Sequence, residues 1–100
     1  MDQASRGVDT GWNAVEIDGD DNVAVALAEL TGTATVYSRG RLVDIPLIES
    51  IPMGHKFATR AIARGAAVIK YGQAIGSASS DIPIGAHVHV QNVASNRART

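Results

Sequence analysis

Hydrophobic positions along this chain come in short bursts separated by turn residues, and none of the bursts carries the sustained 3.6-residue period of an amphipathic helix. Residues 23–27 (Val-Ala-Val-Ala-Leu) form a contiguous apolar run behind the turn cluster Asp18, Gly19, Asp20, Asp21, Asn22. The run is too short for period to decide between a buried strand and a short helical turn capped by Asp21 or Asn22. Residues 33–37 alternate polar and apolar and include β-branched side chains, which predicts a strand. Arg39, Gly40 and Arg41 read as a hairpin turn. The chain returns extended over 42–48, where Pro46 favours an edge or bulge position.

One phrase recurs in the second half, of the form Ile-x-x-Gly-x-x-apolar. It runs from Ile51 through Gly54 to Phe57, from Ile62 through Gly65 to Val68, and from Ile82 through Gly85 to Val88. Physically this is a core anchor, a reversal closed by a glycine that tolerates positive φ, and entry into a strand. The irregular spacing excludes a solenoid. Gly72 and Gly76 bracket a short extended piece, each marking a bulge or a close approach of another backbone or a ligand. The pattern predicts an all-β domain over residues 14–93, with short helical turns at 23–27 and around 62–65. Residues 1–13 read as a flexible leader and residues 94–100 as a flexible tail.

Composition narrows the picture. The 100 residues are 45% apolar, enough for one small core, and only four are aromatic: Trp12, Tyr37, Phe57 and Tyr71. The core is therefore aliphatic. Nine basic residues against ten acidic ones give a net charge of −1, which argues against nucleic acid or an anionic membrane surface as partner. With no cysteine, disulfides, thiolate metal sites and cysteine nucleophiles are excluded. No apolar run approaches the roughly 20 residues needed to span a bilayer, and the first residues lack a signal-peptide pattern, so the expected location is cytoplasmic. There is no P-loop, nucleophile elbow or dinucleotide fingerprint.

Histidine leads the candidate chemistry. His87 and His89 lie two apart, so on a strand both imidazoles face one way and can converge on one ion or one anion; the alternative is a merely solvated face. His55 and Lys56 follow the Gly54 corner as a basic pair. Lys70 and Tyr71 offer an amine and a phenol, and Gln91 and Asn92 offer amides for a hydroxyl-rich ligand or for closing a turn. Asp18, Asp20 and Asp21 resemble a calcium loop in composition but lack its glutamate at the required spacing.

Four phrases in order resemble one family. They are residues 21–27 (Asp-Asn-Val-Ala-Val-Ala-Leu); 51–58, with Ile51, Pro52, Gly54, His55, Lys56 and Phe57; 62–78, with Ile62, Gly65, Val68, Lys70, Tyr71, Gly72, Ile75 and Gly76; and 82–92, with Ile82, Gly85, His87, Val88, His89 and Asn92. Together they resemble the small subunit or N-terminal domain of the altronate and galactarate dehydratases, and also the small subunit of sulfolactate sulfo-lyase. The resemblance implies a SAF-type β-clip fold. It further implies a place in a sugar-acid hydro-lyase whose main catalytic body is a larger domain or separate subunit. The implied cofactor is a divalent metal, commonly iron, held mainly by that larger component. The residues carried over are His55, His87 and His89 as catalytic groups, with Lys56, Lys70, Tyr71 and Asn92 as substrate-binding ones. Gln91 stands where the family often shows a third histidine of the same strand; it is a poorer metal ligand but keeps a substrate-contacting role. His87 and His89 are the metal-ligand candidates of this chain.

The implied partners are the large dehydratase subunit and a sugar acid, with self-association left open and neither nucleic acid nor membrane expected. A reading from another class is a non-catalytic module that binds carbohydrate acids or a protein partner, since β-clip domains also serve that way. Size favours the divided enzyme: no self-sufficient catalytic constellation is visible in 100 residues.

Overall fold

The computed structural model describes residues 11–95. Nine strands make up its regular structure: β1 Ala14–Glu16, β2 Val23–Ala26, β3 Thr33–Ser38, β4 Arg41–Pro46, β5 Lys56–Ala58, β6 Ala67–Lys70, β7 Gln73–Ala78, β8 His87–Val88 and β9 Val93–Ser95. They form a six-stranded sheet in the order β4-β3-β1-β2-β5-β8 and a three-stranded sheet in the order β6-β7-β9. The all-β expectation is met, but the helical turns are not found among the described residues. Residues 23–26 pair as strand with β1 on one side and β5 on the other, because the apolar run has a core on both faces. Val23 packs into one hydrophobic cluster while Ala24 and Ala26 pack into the other. Around Ile62 the chain makes a bridge to Ile82 and then a tight turn instead of a helical one.

The repeated phrase is a repeated corner. Gly54, Gly65 and Gly85 have φ of 82, 86 and 85°. Each corner closes with a hydrogen bond across the turn, from His55, Ala66 and Ala86 amides to the Pro52, Ala63 and Pro83 carbonyls. Positive φ at the third turn position defines a type II turn, which selects glycine there. In each corner the glycine amide also donates to a strand carbonyl elsewhere, Ala26, Ala78 or Ala58. The isoleucines that open the corners, Ile51, Ile62 and Ile82, are all buried.

The hairpin at Arg39 and Gly40 is present, with φ of 50 and 84° and Ser38 paired to Arg41, a two-residue type I′ loop. Tyr71 and Gly72 form a second, at φ of 55 and 79° between Lys70 and Gln73. Pro46 ends β4, an edge strand, where a missing donor costs nothing. Gly76 marks a close approach of backbone: a Cβ there would clash with the Ala94 carbonyl oxygen.

Two aliphatic clusters form the core, one around Phe57, Ile51 and Val36 and the other around Val68, Ile82 and Val88. Burying Phe57 fully contributes on the order of 1.5–3 kcal/mol. Strands β2 and β5 contribute to both clusters, since Ala24, Ala26 and Phe57 join the first while Val23 and Ala58 join the second. Asn22 ties the two sheets together: its side chain accepts from the Ile69 amide and donates to the Ala67 carbonyl. Hydrogen bonding reaches back to Asn13, which exchanges bonds with Thr35, within the stretch that sequence assigns to the leader. At the other end β9 takes in the first two residues of the expected tail. Residues 1–10 and 96–100 lie outside the described residues.

Candidate functional site

Strand pairing decides where the histidines meet. In the β5–β8 ladder Lys56 pairs with Val88 and Phe57 with His87. Continuing that register by one residue sets His55 opposite His89, with His87 diagonal to it on the same face. His55 and His89 stack with ring centroids 4.2 Å apart and planes 21° apart. His55 and His87 meet edge to edge instead. Their facing nitrogens, Nδ1 and Nε2, are 2.8 Å apart, and the 5.1 Å centroid separation is that of two nearly coplanar rings joined by a straight hydrogen bond. One ring donates and the other accepts, according to tautomer. One ring nitrogen from each of the three residues lies within 4.8 Å of the others.

All three histidines are half-buried, so this face is less open than a purely solvated one. His89 Nδ1 is buried with no hydrogen-bond partner. An orphaned buried polar atom costs about 1–3 kcal/mol, and in a native structure it asks for an explanation such as a ligand. Burial, then the neighbouring His55, then Lys56 push His89 below its usual range. His87 is lowered chiefly by burial and by His55; Glu49 opposes this, while His89 and Lys56 add to it. Lys56 is itself lowered by burial and by Lys70. His87 and His89 are therefore held toward the neutral form in positive surroundings, an arrangement suited to an anion or to a metal ion carrying one.

The strand does not run on to position 91, as the sequence reading supposed. It stops at Val88, and residues 89–92 turn, with the Asn92 amide donating to the His89 carbonyl. Asn92 causes the stop. Its Oδ1 accepts from the His89 amide at 3.0 Å and its Nδ2 donates to the His87 carbonyl at 2.9 Å. Asn92 thus holds the two histidines in place through their backbone, and both ends of its amide are occupied by that task. Gln91 reaches back from the turn to within 3.4 Å of His87 Nδ1, a long contact. Glu49, which sequence did not single out, accepts from the His87 amide at 3.0 Å. No local pattern marks it, because it arrives from a loop 38 positions away.

Lys56, Ile75, His89, Val90 and Val93 line a cavity of about 150 Å³ beside the triad. One wall carries an amine and an imidazole, and the others are apolar. Lys70 lies within electrostatic range of Lys56, with its ammonium 4.9 Å from the centre of the Tyr71 ring. Tyr71 sits in the tight hairpin turn, and its amide donates to Asp21. A second cavity of about 180 Å³ includes Glu16 in its lining, but that carboxylate already accepts from the Ser38 and Thr59 hydroxyls.

The acidic turn is structural. Asp21 is fully buried. Burial pushes its carboxyl up, yet hydrogen bonds from the amides of Asp18, Gly72, Tyr71 and Ile17 outweigh this and hold it below its usual range. Asp18 Oδ1 accepts from the Asp20 amide. These oxygens serve backbone donors, unlike those of a calcium loop, whose oxygens converge on an ion. Among the described residues the three histidines alone form a metal-ligating group.

Two sheets, glycine-cornered strands and an aliphatic core define a SAF-type β-clip domain, here displaying three imidazoles at the end of the ladder where β5 begins and β8 stops. The family model for the altronate/galactarate dehydratase SAF domain matches residues 12–96, and the chain belongs to that family. It is 46% identical over 82 residues to altronate dehydratase of Escherichia coli and 38% identical over 82 residues to that of Bacillus subtilis. In each case 82% of this chain is covered but only 16% of the relative, so the chain spans about a sixth of those enzymes. It is also 39% identical over 87 residues to the alpha subunit of (2R)-sulfolactate sulfo-lyase from Chromohalobacter salexigens, covering 80% of this chain and 90% of that subunit. The relatives carry lyase names. No helix among the described residues is long and apolar enough to cross a membrane.

Proposed function

We propose that this chain is the small component of a two-component sugar-acid hydro-lyase of the altronate dehydratase type, working in the cytoplasm. In this reading it contributes binding and proton-handling groups to a site completed by a larger catalytic component. The observation that carries the reading is the convergence of His55, His87 and His89, one buried nitrogen left unpaired, beside a small cavity with an amine on its wall. Support comes from relatives in which such a domain forms part of a longer dehydratase or most of a named lyase subunit.

The chemistry asked of the complex is removal of a proton α to a carboxylate, followed by loss of a β-hydroxyl as water. A neutral imidazole of the triad is suited to accept a proton and return it to the departing hydroxyl. Lys56 is placed to pair with a substrate carboxylate, and Gln91, exposed in its turn, to donate to a hydroxyl. A divalent metal, held mainly by the larger component, supplies Lewis-acid stabilisation of the enediolate when bound. Lys70 and Tyr71 join the substrate-binding set through Lys56 or not at all, since their own contacts are those of the hairpin.

The test is reconstitution. The purified chain alone should turn over neither altronate, galactarate nor sulfolactate, and activity on one of them should appear when the larger component is added. Robust turnover by the chain alone, or an active complex unaffected by removing the chain, refutes the reading. Binding of a sugar acid with no turnover in the complex identifies a binding module instead.

A further inference from the structure

We propose that His55, His87 and His89 form a three-nitrogen site that binds one divalent transition-metal ion on this chain by itself. The proposal goes beyond the functional reading: an imidazole nitrogen bound to an ion takes no proton, so with the ion in place the triad serves as its ligand set and the proton-accepting group comes from the larger component. Metal binding by the chain stands or falls separately from dehydratase activity.

The site sits at one end of one ladder: His87 lies in β8, and His55 and His89 stand one residue outside β5 and β8, so the paired strands set where all three begin. Each histidine offers one nitrogen, and the three lie within 4.8 Å of one another. Two imidazole nitrogens bound at roughly 2.0–2.1 Å to one ion and subtending a right angle lie about 2.9 Å apart. The His55 Nδ1 to His87 Nε2 separation is 2.8 Å. In the metal-free protein a shared proton lies between these atoms. An ion replaces that proton, sitting off the line between them, and the rings turn to face it. His89 closes the set from above His55, and its buried, partnerless Nδ1 marks a nitrogen without a use in the metal-free fold.

The donor set selects the metal. Three imidazoles without carboxylate or thiolate suit zinc, cobalt, nickel or ferrous iron and discriminate against magnesium and calcium, which require oxygen. Three protein ligands leave open positions, as catalytic sites require. One outer contact, that of Gln91, is to a ring nitrogen, where metal-bound histidines take their second partner, and the others hold the backbone. Asn92 fixes the backbone of His87 and His89, Glu49 fixes that of His87, and Gln91 lies against His87 Nδ1, the nitrogen turned away from the ion. This gives Gln91 a place behind a ligand rather than as one. The nearby Lys56 and Lys70 disfavour a bare dication and favour an anionic group as its further ligand, in keeping with a carboxylate substrate.

The test uses the untagged chain, stripped of metal and titrated with cobalt(II) while visible absorption and binding heat are recorded. One cobalt per chain is expected, with d–d bands of a nitrogen-ligated ion. Each of His55→Ala, His87→Ala and His89→Ala should weaken binding by about 100-fold or more, and Gln91→Ala by about 10-fold. Thermal melts show whether each variant folds. Independently of any variant, imidazole nitrogen NMR of the wild-type chain with zinc should shift resonances of all three histidines together. Absence of saturable binding, binding unchanged in the folded histidine variants, or zinc shifts confined to one histidine overturns the proposal. If metal fails to bind while the complex still dehydrates a sugar acid, this inference falls and the functional reading stands. If metal binds but no complex turns over a sugar acid, the reverse holds.

Discussion

The acidic turn and the histidine cluster both set polar groups against the aliphatic interior, and they are finished differently. At the acidic turn, Asp21 is fully buried and its carboxylate takes hydrogen bonds from the Ile17, Asp18, Tyr71 and Gly72 amides. Every polar contact there is internal, and it fastens the turn before β2 to the β6–β7 hairpin. At the histidine cluster, backbone groups are held by Asn92 and Glu49, but the side-chain atoms are not closed off: one buried nitrogen has no partner, and two others share a proton across 2.8 Å. A polar group used for structure is satisfied within the fold, whereas one kept for a ligand leaves valence unspent. By this criterion Asp21 is scaffold and the triad is the candidate site.

The sharpest way to break this comparison is to cut the scaffold. Asp21→Ala leaves several buried amides without an acceptor and should destabilise the domain by at least about 3 kcal/mol. For a domain of this size that lowers the melting temperature by more than about 12 °C, measurable by calorimetry. A loss under about 1 kcal/mol would show that the turn does not depend on the carboxylate.

Next in size come the corners that introduce the histidines. Gly54 and Gly85 share nearly the same φ, 82 and 85°. A Cβ at Gly54 meets nothing within 4 Å, while one at Gly85 would clash with the Pro46 carbonyl oxygen. Gly54→Ala should cost about 1–2 kcal/mol, the ordinary penalty for a left-handed residue, and Gly85→Ala distinctly more in denaturant titrations. Equal costs would contradict the packing described for the last corner.

Acid separates the two clusters by where stability is lost. In the metal-free protein His87 and His89 are lowered from 6.5, so the unfolded chain binds more protons just below that pH. Their contribution is full above about pH 6.5 and declines as pH falls below it. Asp21 is lowered from 3.8, so its contribution holds down to about that pH and is lost only below it, as pH falls through the folded value. Melting temperature against pH should show a shallow decline beginning near 6.5 and a steep one below 4. The His87→Ala, His89→Ala double variant should flatten only the first. A first decline unchanged in that variant would assign it elsewhere.

Much of this was legible in the residues. The Ile-x-x-Gly corners, the Arg39–Gly40 hairpin and the edge position of Pro46 follow from backbone sterics and hold as read. The strand at residues 23–26 was ambiguous because an apolar run of five reads alike as strand or helix, and only its two facing clusters decide. A turn at Gly72 is readable, but not that Tyr71 shares it, because a tyrosine at positive φ is uncommon; Asp21, accepting its amide, holds it there. Spacing put His87 and His89 on one face, but their meeting with His55 depends on the β5–β8 register, a long-range fact. Strand logic over-extended β8 to Gln91; of the two readings open for Asn92, ligand amide or turn closer, its bonds to His87 and His89 realise the second. Glu49 had no local signal at all.

The smallest expected change in stability accompanies the largest expected change in function. His89→Ala removes a half-buried side chain with an unpaired nitrogen, so its melting temperature should stay within a few degrees of wild type, about 0.5 kcal/mol or less. The most direct test of the triad as site is turnover of the reconstituted complex carrying His89→Ala, measured beside that melting curve. A loss of about 100-fold or more with folding intact is the predicted result. Full activity at unchanged stability would contradict it and make the histidine cluster scaffold.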